Sequence, residues 1–211
     1  MQIAIGVALA IASYLLGALP TAFLVAKAHG IDIRTVGSGN VGATNVFRTV
    51  GKLWGLLTFA ADAMKGFVPA FAFPAAAVAW LGYEGKPEYL GLVCAAFAIA
   101  GHNWPVYLRF KGGKGVATST GALMGLAPPA GATGLAVWLL VFLPTRYVSL
   151  ASMMAALATG ASAWVFYYHD MGPVLPAVLS LLAGVLILRH RDNVRRLLKG
   201  TENRIEFRKK K

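Results

Sequence analysis

The stretch VATSTGALMGLAPPAGATGLAVWLLVFLP, residues 116–144, is apolar enough for a membrane interior, and its reading decides how often the chain crosses. As a single helix it would run about 44 Å at 1.5 Å per residue, longer than the roughly 30 Å hydrocarbon core. Pro128 and Pro129 would then remove backbone donors near its middle. Read as two passes, or as a re-entrant hairpin, it puts every strongly basic connection on one side: 27–52, 109–114, Arg146 and the C-terminal tail. The positive-inside rule makes that side cytoplasmic. A single pass would carry the tail to the other face, against the rule.

Working outward, apolar runs predict helices at 3–25, 53–81, 89–108, 116–127, 130–144, 147–168 and 174–188. The expected fold is an all-α integral membrane protein with seven transmembrane helices, of which helices 4 and 5 are short. The N-terminus lies outside and the C-terminus in the cytoplasm. Connections assigned to the outside, with Glu84, Lys86 and Glu88, the Pro128–Pro129 turn, and then His169 and Asp170, lack a positive excess. The start, MQIAIGVALAIASYLLGALP, has no basic flank and reads as a retained span. No linker or low-complexity segment divides residues 1–211, which form one membrane domain. No inverted repeat is evident either.

Composition agrees. At 57% hydrophobic residues, 13% charged residues and a mean hydropathy of +0.63, the chain is too apolar for one soluble core of its length. The single cysteine, Cys94, can form no internal disulfide and reads as packing. A formal charge of +12 raises the question of nucleic acid, but many of the cations follow the last apolar run, from Arg189 through Arg196 and Arg204 to Lys211. Phe207 is the one aromatic there for base stacking, so nucleic acid is excluded as a partner. Membrane lipids are the expected surroundings, and the end RIEFRKKK is read as a solvated tail or a contact for anionic lipid.

Two cationic, glycine-rich stretches interrupt the oily chain: GSGNVGATNVFR at 37–48 and KGGKGVAT at 111–118. Glycine lets successive N–H groups turn toward an anion. The backbone at Gly37, Gly39, Gly42 and Ala43, with donors from Ser38, Asn40, Thr44 and Asn45, suits phosphate, and Arg48 offers a planar fork. Gly112 and Gly113 stand between Lys111 and Lys114, the latter near the start of a helix whose free N–H groups also favour anions. The competing reading makes both stretches flexible cytoplasmic loops with topology-marking cations. KGGKGVAT lacks the order of a nucleotide-binding P-loop and has no carboxylate nearby for magnesium, which argues against ATP hydrolysis.

His190 and Asn193, three apart in RHRDN, share a face if the last helix continues, so one can donate to an oxyanion while the other orients or deprotonates a hydroxyl. Ser149 and Ser152 have the same spacing, with bonding to their own helix backbone as the alternative. Asp62 and Lys65 read as an ion pair facing other helices, and His102 as a brace for the adjacent lysine-glycine loop. His29 and His169 have no ligand partners at useful spacing, so no metal centre and no cofactor are expected. Neither a nucleophile elbow nor an H-x-x-x-x-D signature occurs, which leaves direct transfer between two bound anionic substrates. An anion or phospho-compound transporter is the rival.

Taken in order, GSGNVGATNVFR, FKGGKGVAT, RYVSLAS and RHRDNVRRLLKGTE resemble the bacterial acyl-phosphate:glycerol-3-phosphate acyltransferase family, over nearly the whole chain. GHNWPVYLRF and DAMKG resemble its connecting segments. The resemblance implies a seven-helix enzyme of the bacterial cytoplasmic (inner) membrane with its active site facing the cytoplasm. Its substrates would be acyl phosphate and glycerol 3-phosphate, its products 1-acylglycerol 3-phosphate (lysophosphatidate) and inorganic phosphate. It also implies Ser38, Arg48, Lys114, Ser152, His190 and Asn193 as site residues. Proton transfer to His190 and proton transfer to a substrate phosphate oxygen both stay open, and no obligatory protein partner is inferred.

Overall fold

The computed structural model describes residues 1–206; the basic residues Arg208–Lys211 and Phe207 lie outside the described residues. The helices are α1 (Gln2–Ala18), α2 (Thr21–Ala28), α3 (Ala43–Thr49), α4 (Lys52–Phe67), α5 (Phe73–Trp80), α6 (Pro87–Asn103), α7 (Val116–Leu126), α8 (Pro128–Thr145), α9 (Val148–Met171), α10 (Val174–Arg189) and α11 (Arg191–Leu198). Among the described residues there is no strand. Five stretches are long and apolar enough to cross a membrane: Gln2–Ala28, Lys52–Trp80, Pro87–Leu108, Pro128–Thr145 and Val148–Met171. A sixth is added if α10 and α11, bent by 56°, count as one span, whereas α7 is a shorter apolar helix.

Proline chemistry explains where the helices depart from the predicted runs. The run at 3–25 is broken at Leu19, whose ψ of 119° is extended, because Pro20 disfavours a helical residue before it and has no N–H to donate. Within 53–81 the chain stays helical but widens into a π turn at Val68–Ala72, where Pro69 removes a helical donor. Between α7 and α8 only Ala127 intervenes, with a non-helical ψ of 62°. Helix α8 starts at Pro128, earlier than expected, because first-turn positions need no N–H partner. The fifth apolar segment is therefore long enough to span, while the fourth, at 11 residues, is short.

Contacts group the chain into two compact units, Met1–Leu126 and Ala127–Lys211. Glycine sets the helix spacing in the first. Gly17 and Gly101 bring α1 and α6 together, with no room for a Cβ against the Ala98 and Tyr14 backbones. Gly66 and Gly121 do the same for α4 and α7, against Thr118 and Ala63. Cys94 is buried with Ala77 and Leu90, a packing role. In the second unit α9 packs on both α8 and α10, and Trp164 Nε1 donates to Ser180 Oγ at 3.1 Å.

Candidate active site

In the first unit, α2 stops at Gly30, whose φ of +72° lets the Ile31 N–H reach back to the Ala26 carbonyl at 3.0 Å. The chain then enters the first glycine-rich loop. Arg34 hydrogen-bonds Asp32 through both side chain and backbone, which holds the Asp32 carboxyl down at about 2. Beneath the loop an apolar cluster of Ala22, Ala26, Ile33, Val41 and Val46 fixes its ends.

Asn45 organises the loop interior. It is 1% exposed; its Nδ2 lies 3.1 Å from the carbonyls of Ile33, Val36 and Asn40, and its Oδ1 accepts the Ser38 N–H at 3.1 Å. Its amide thus binds the chain's own backbone rather than facing outward as the sequence reading expected. Gly37 and Gly39, at φ of +59° and +67°, make the turns that allow this, and a Cβ on Gly37 would strike Asn45 Oδ1. Ser38 is exposed at the loop tip. Gly42 caps α3 in extended conformation, with Ala43 and Thr44 in its first turn, where helix geometry leaves N–H groups without intrahelical partners. Arg48, half-buried, sits in the last turn of α3, and Asn40 is half-buried at the loop.

The second loop leaves α6 at Asn103 and reaches α7. Lys111 is exposed and Lys114 half-buried, two residues before Val116. Its glycines are needed for close approach, and the Gly113 N–H, expected to face an anion, donates instead to the His102 carbonyl at 3.1 Å. A Cβ on Gly112 would meet the His102 carbonyl and Pro105, and one on Gly113 would meet the His102 ring. A Cβ on Gly113 would also stand only 2.9 Å from the Val41 carbonyl oxygen, so the two loops lie against each other there.

The second unit gathers another set. The helix does not continue through His190: α10 ends at Arg189, and the His190 carbonyl accepts the Val194 N–H at 3.0 Å as α11 begins. The condition for a shared face on one continuing helix is therefore not met: His190 stands at the bend as the residue preceding α11, and Asn193 lies in the first turn of α11. His190 is 3% exposed and its Nδ1 lies 2.8 Å from the Leu186 carbonyl. A carbonyl can only accept, so Nδ1 carries hydrogen, and a neutral form of the ring has its lone pair on Nε2.

Glu202, to which the sequence reading gave no role, ties this unit together. Its Oε1 accepts from Ser149 Oγ at 2.8 Å and Asn193 Nδ2 at 2.7 Å, and its Oε2 from Arg196 Nε at 2.7 Å. Burial pushes its carboxyl up, but the hydrogen bonds from Asn193, Arg196 and Ser149 outweigh that and hold it below the usual range. The visible signal was Gly200. At φ +68° it ends α11 with Gly200 N–H to Leu197 and Thr201 N–H to Arg196, at 3.1 and 2.8 Å, and turns the next carboxylate back onto the helix. Ser152 donates to the Val148 carbonyl at 2.8 Å and lies 3.3 Å from Trp138 Nε1, which is the backbone-bonding alternative.

These features define a class: a multi-pass membrane protein with cationic glycine-rich loops carried between apolar helices. The family described as glycerol-3-phosphate acyltransferase matches residues 7–200. Proteins called glycerol-3-phosphate acyltransferase are 45% identical in Desulforudis audaxviator, over 93% of this chain and 94% of theirs, and 41% identical in Trichlorobacter lovleyi, over 92% and 94%. The crystal structure of PlsY (YgiH), an integral membrane glycerol 3-phosphate acyltransferase in its glycerol 3-phosphate form, is similar at a TM-score of 0.84 and 38% identity, covering 95% of this chain and 96% of that one. Its lysophosphatidic acid form gives 0.81 and 37%, covering 95% of each. The chain belongs to the glycerol-3-phosphate acyltransferase (PlsY) family, and is accordingly a membrane acyltransferase of phospholipid synthesis.

Proposed function

We propose that the protein transfers a fatty acyl group from acyl phosphate to the 1-hydroxyl of glycerol 3-phosphate, releasing inorganic phosphate and lysophosphatidate. The contact of Val41 with Gly113 carries the reading, because it puts two cationic, amide-rich loops at one place. Similarity to structures described in glycerol 3-phosphate and lysophosphatidic acid forms supports the acceptor and the product. Arg48 and Lys114 bind and polarise the acyl phosphate, while the Ser38 hydroxyl and those N–H groups of 37–45 not bonded within the loop neutralise phosphoryl oxygens. His190 and Asn193 orient glycerol 3-phosphate.

The hydroxyl oxygen attacks the acyl carbonyl carbon, a new ester C–O bond forms, and the bond to the phosphate oxygen breaks. The hydroxyl proton passes to His190 Nε2 or to a phosphate oxygen of the substrate, and replacing His190 with Ala separates the two. Loss of turnover with binding retained marks a base, whereas a selective rise in KM for glycerol 3-phosphate marks orientation. The N-terminus is outside, the C-terminus and active site face the cytoplasm, and the chain crosses the inner membrane seven times, with the charge distribution as support. Purified protein in vesicles, given both substrates, should make lysophosphatidate and phosphate together. Passage of phosphate across the vesicle without product would assign a transporter instead.

A further inference from the structure

A polar cluster outside the chemistry above is buried in the first unit. Asp62 and Lys65, one turn apart on α4, form an ion pair at 2.6 Å with side chains 2% and 7% exposed. Thr21 Oγ1 donates to Asp62 Oδ1 at 2.8 Å, and Lys65 Nζ donates at 2.6 Å to the Leu19 carbonyl at the Pro20 break. His102 Nδ1 stands 4.0 Å from that same Asp62 oxygen. Burying such a pair is seldom a net gain in stability over apolar packing, so its presence at this depth calls for another use.

The far side of His102 supplies one. Its carbonyl accepts the Gly113 N–H at 3.1 Å, and its ring leaves no space for a Cβ on Gly113. A small cleft lined by Thr21, Val41, Asp62, Lys65, His102 and Gly113 opens beside these contacts. A row of neighbouring groups therefore runs from the α1–α2 break through Asp62 and, 4.0 Å from it, His102 to both glycine-rich loops.

We infer that Asp62 and His102 are positioning residues: the carboxylate fixes the imidazole, and His102 fixes the 109–115 loop against Val41 of the first loop. The consequence for substrate binding rests on reading those loops as the phosphate cradle. The test uses the full chain in lipid nanodiscs, with Asp62→Asn, His102→Ala and their combination, read by amide exchange and by kinetics. In His102→Ala and Asp62→Asn, exchange across residues 109–115 accelerates about tenfold, while α4 and α6 keep their protection. The KM for a phosphorylated substrate rises about tenfold, kcat falls by less than about threefold, and the double variant is no worse than His102→Ala alone. Should Asp62→Asn fail to fold around the stranded Lys65, Asp62→Asn with Lys65→Met removes both charges and is predicted to loosen the same loop.

Unchanged loop exchange in His102→Ala overturns the inference, as does protection lost evenly through α4 and α6. A local exchange response in a protein without acyl transfer would uphold the positioning role and remove the proposed reaction.

Discussion

Replacing Asn45 with Ala removes the acceptor of the Ser38 N–H and the donors to the Ile33 and Asn40 carbonyls, while the Val36 carbonyl keeps the Gly39 N–H at 3.0 Å. The expected loss is about 3 kcal/mol, since each stranded group costs on the order of 1–3 kcal/mol, and thermal unfolding in detergent reads it. Asn45→Asp keeps the acceptor but loses the donors, so it should be nearly as harmful; wild-type stability in either variant would contradict the assigned role. Arg48→Ala should cost at least about tenfold in kcat/KM by removing a charge-assisted fork, and unchanged activity would remove Arg48 from the site. Residue types were legible in the sequence, but directions were not. An asparagine in a glycine loop offers the same donors to a ligand and to its own backbone, and only the folded loop shows Asn45 spent on the backbone.

Most helices could be read from apolar runs, because burial in lipid demands uninterrupted hydropathy. Their breaks could not, since hydropathy does not fall at Leu19–Pro20 or at Val68–Ala72 while the hydrogen-bond ladder does. The return of Glu202 was only partly legible: Gly200 signals a helix stop, but nothing local says that the carboxylate beyond it meets Ser149 as well as Asn193 and Arg196. Glu202 also carries a pH signature. Its folded pKa lies below the unfolded value near 4.3, so its stabilisation is full above that value and is lost as pH falls through the folded one. Thermal midpoints should therefore drop from about pH 5 downward, and Glu202→Gln should start lower at neutral pH and fall less steeply. Parallel curves would contradict this. At the α4–α7 contact, Gly121→Val forces side-chain atoms into the Ala63 backbone and should destabilise by about 1–3 kcal/mol.

For the molecule as a whole, the order of motifs along the chain was readable, and the family membership agrees with it. The proposed orientation rests on charge, and it predicts that a reporter fused at the C-terminus is active only in the cytoplasm; activity outside would contradict it. The central claim is that acyl phosphate itself is the donor and that transfer is direct. Purified protein in lipid, supplied with glycerol 3-phosphate and in parallel with acyl phosphate or an acyl thioester, tests it by counting products. Lysophosphatidate formed from acyl phosphate alone, with one phosphate released per molecule, is the predicted result; product from the thioester alone, or phosphate released without lysophosphatidate, would contradict it.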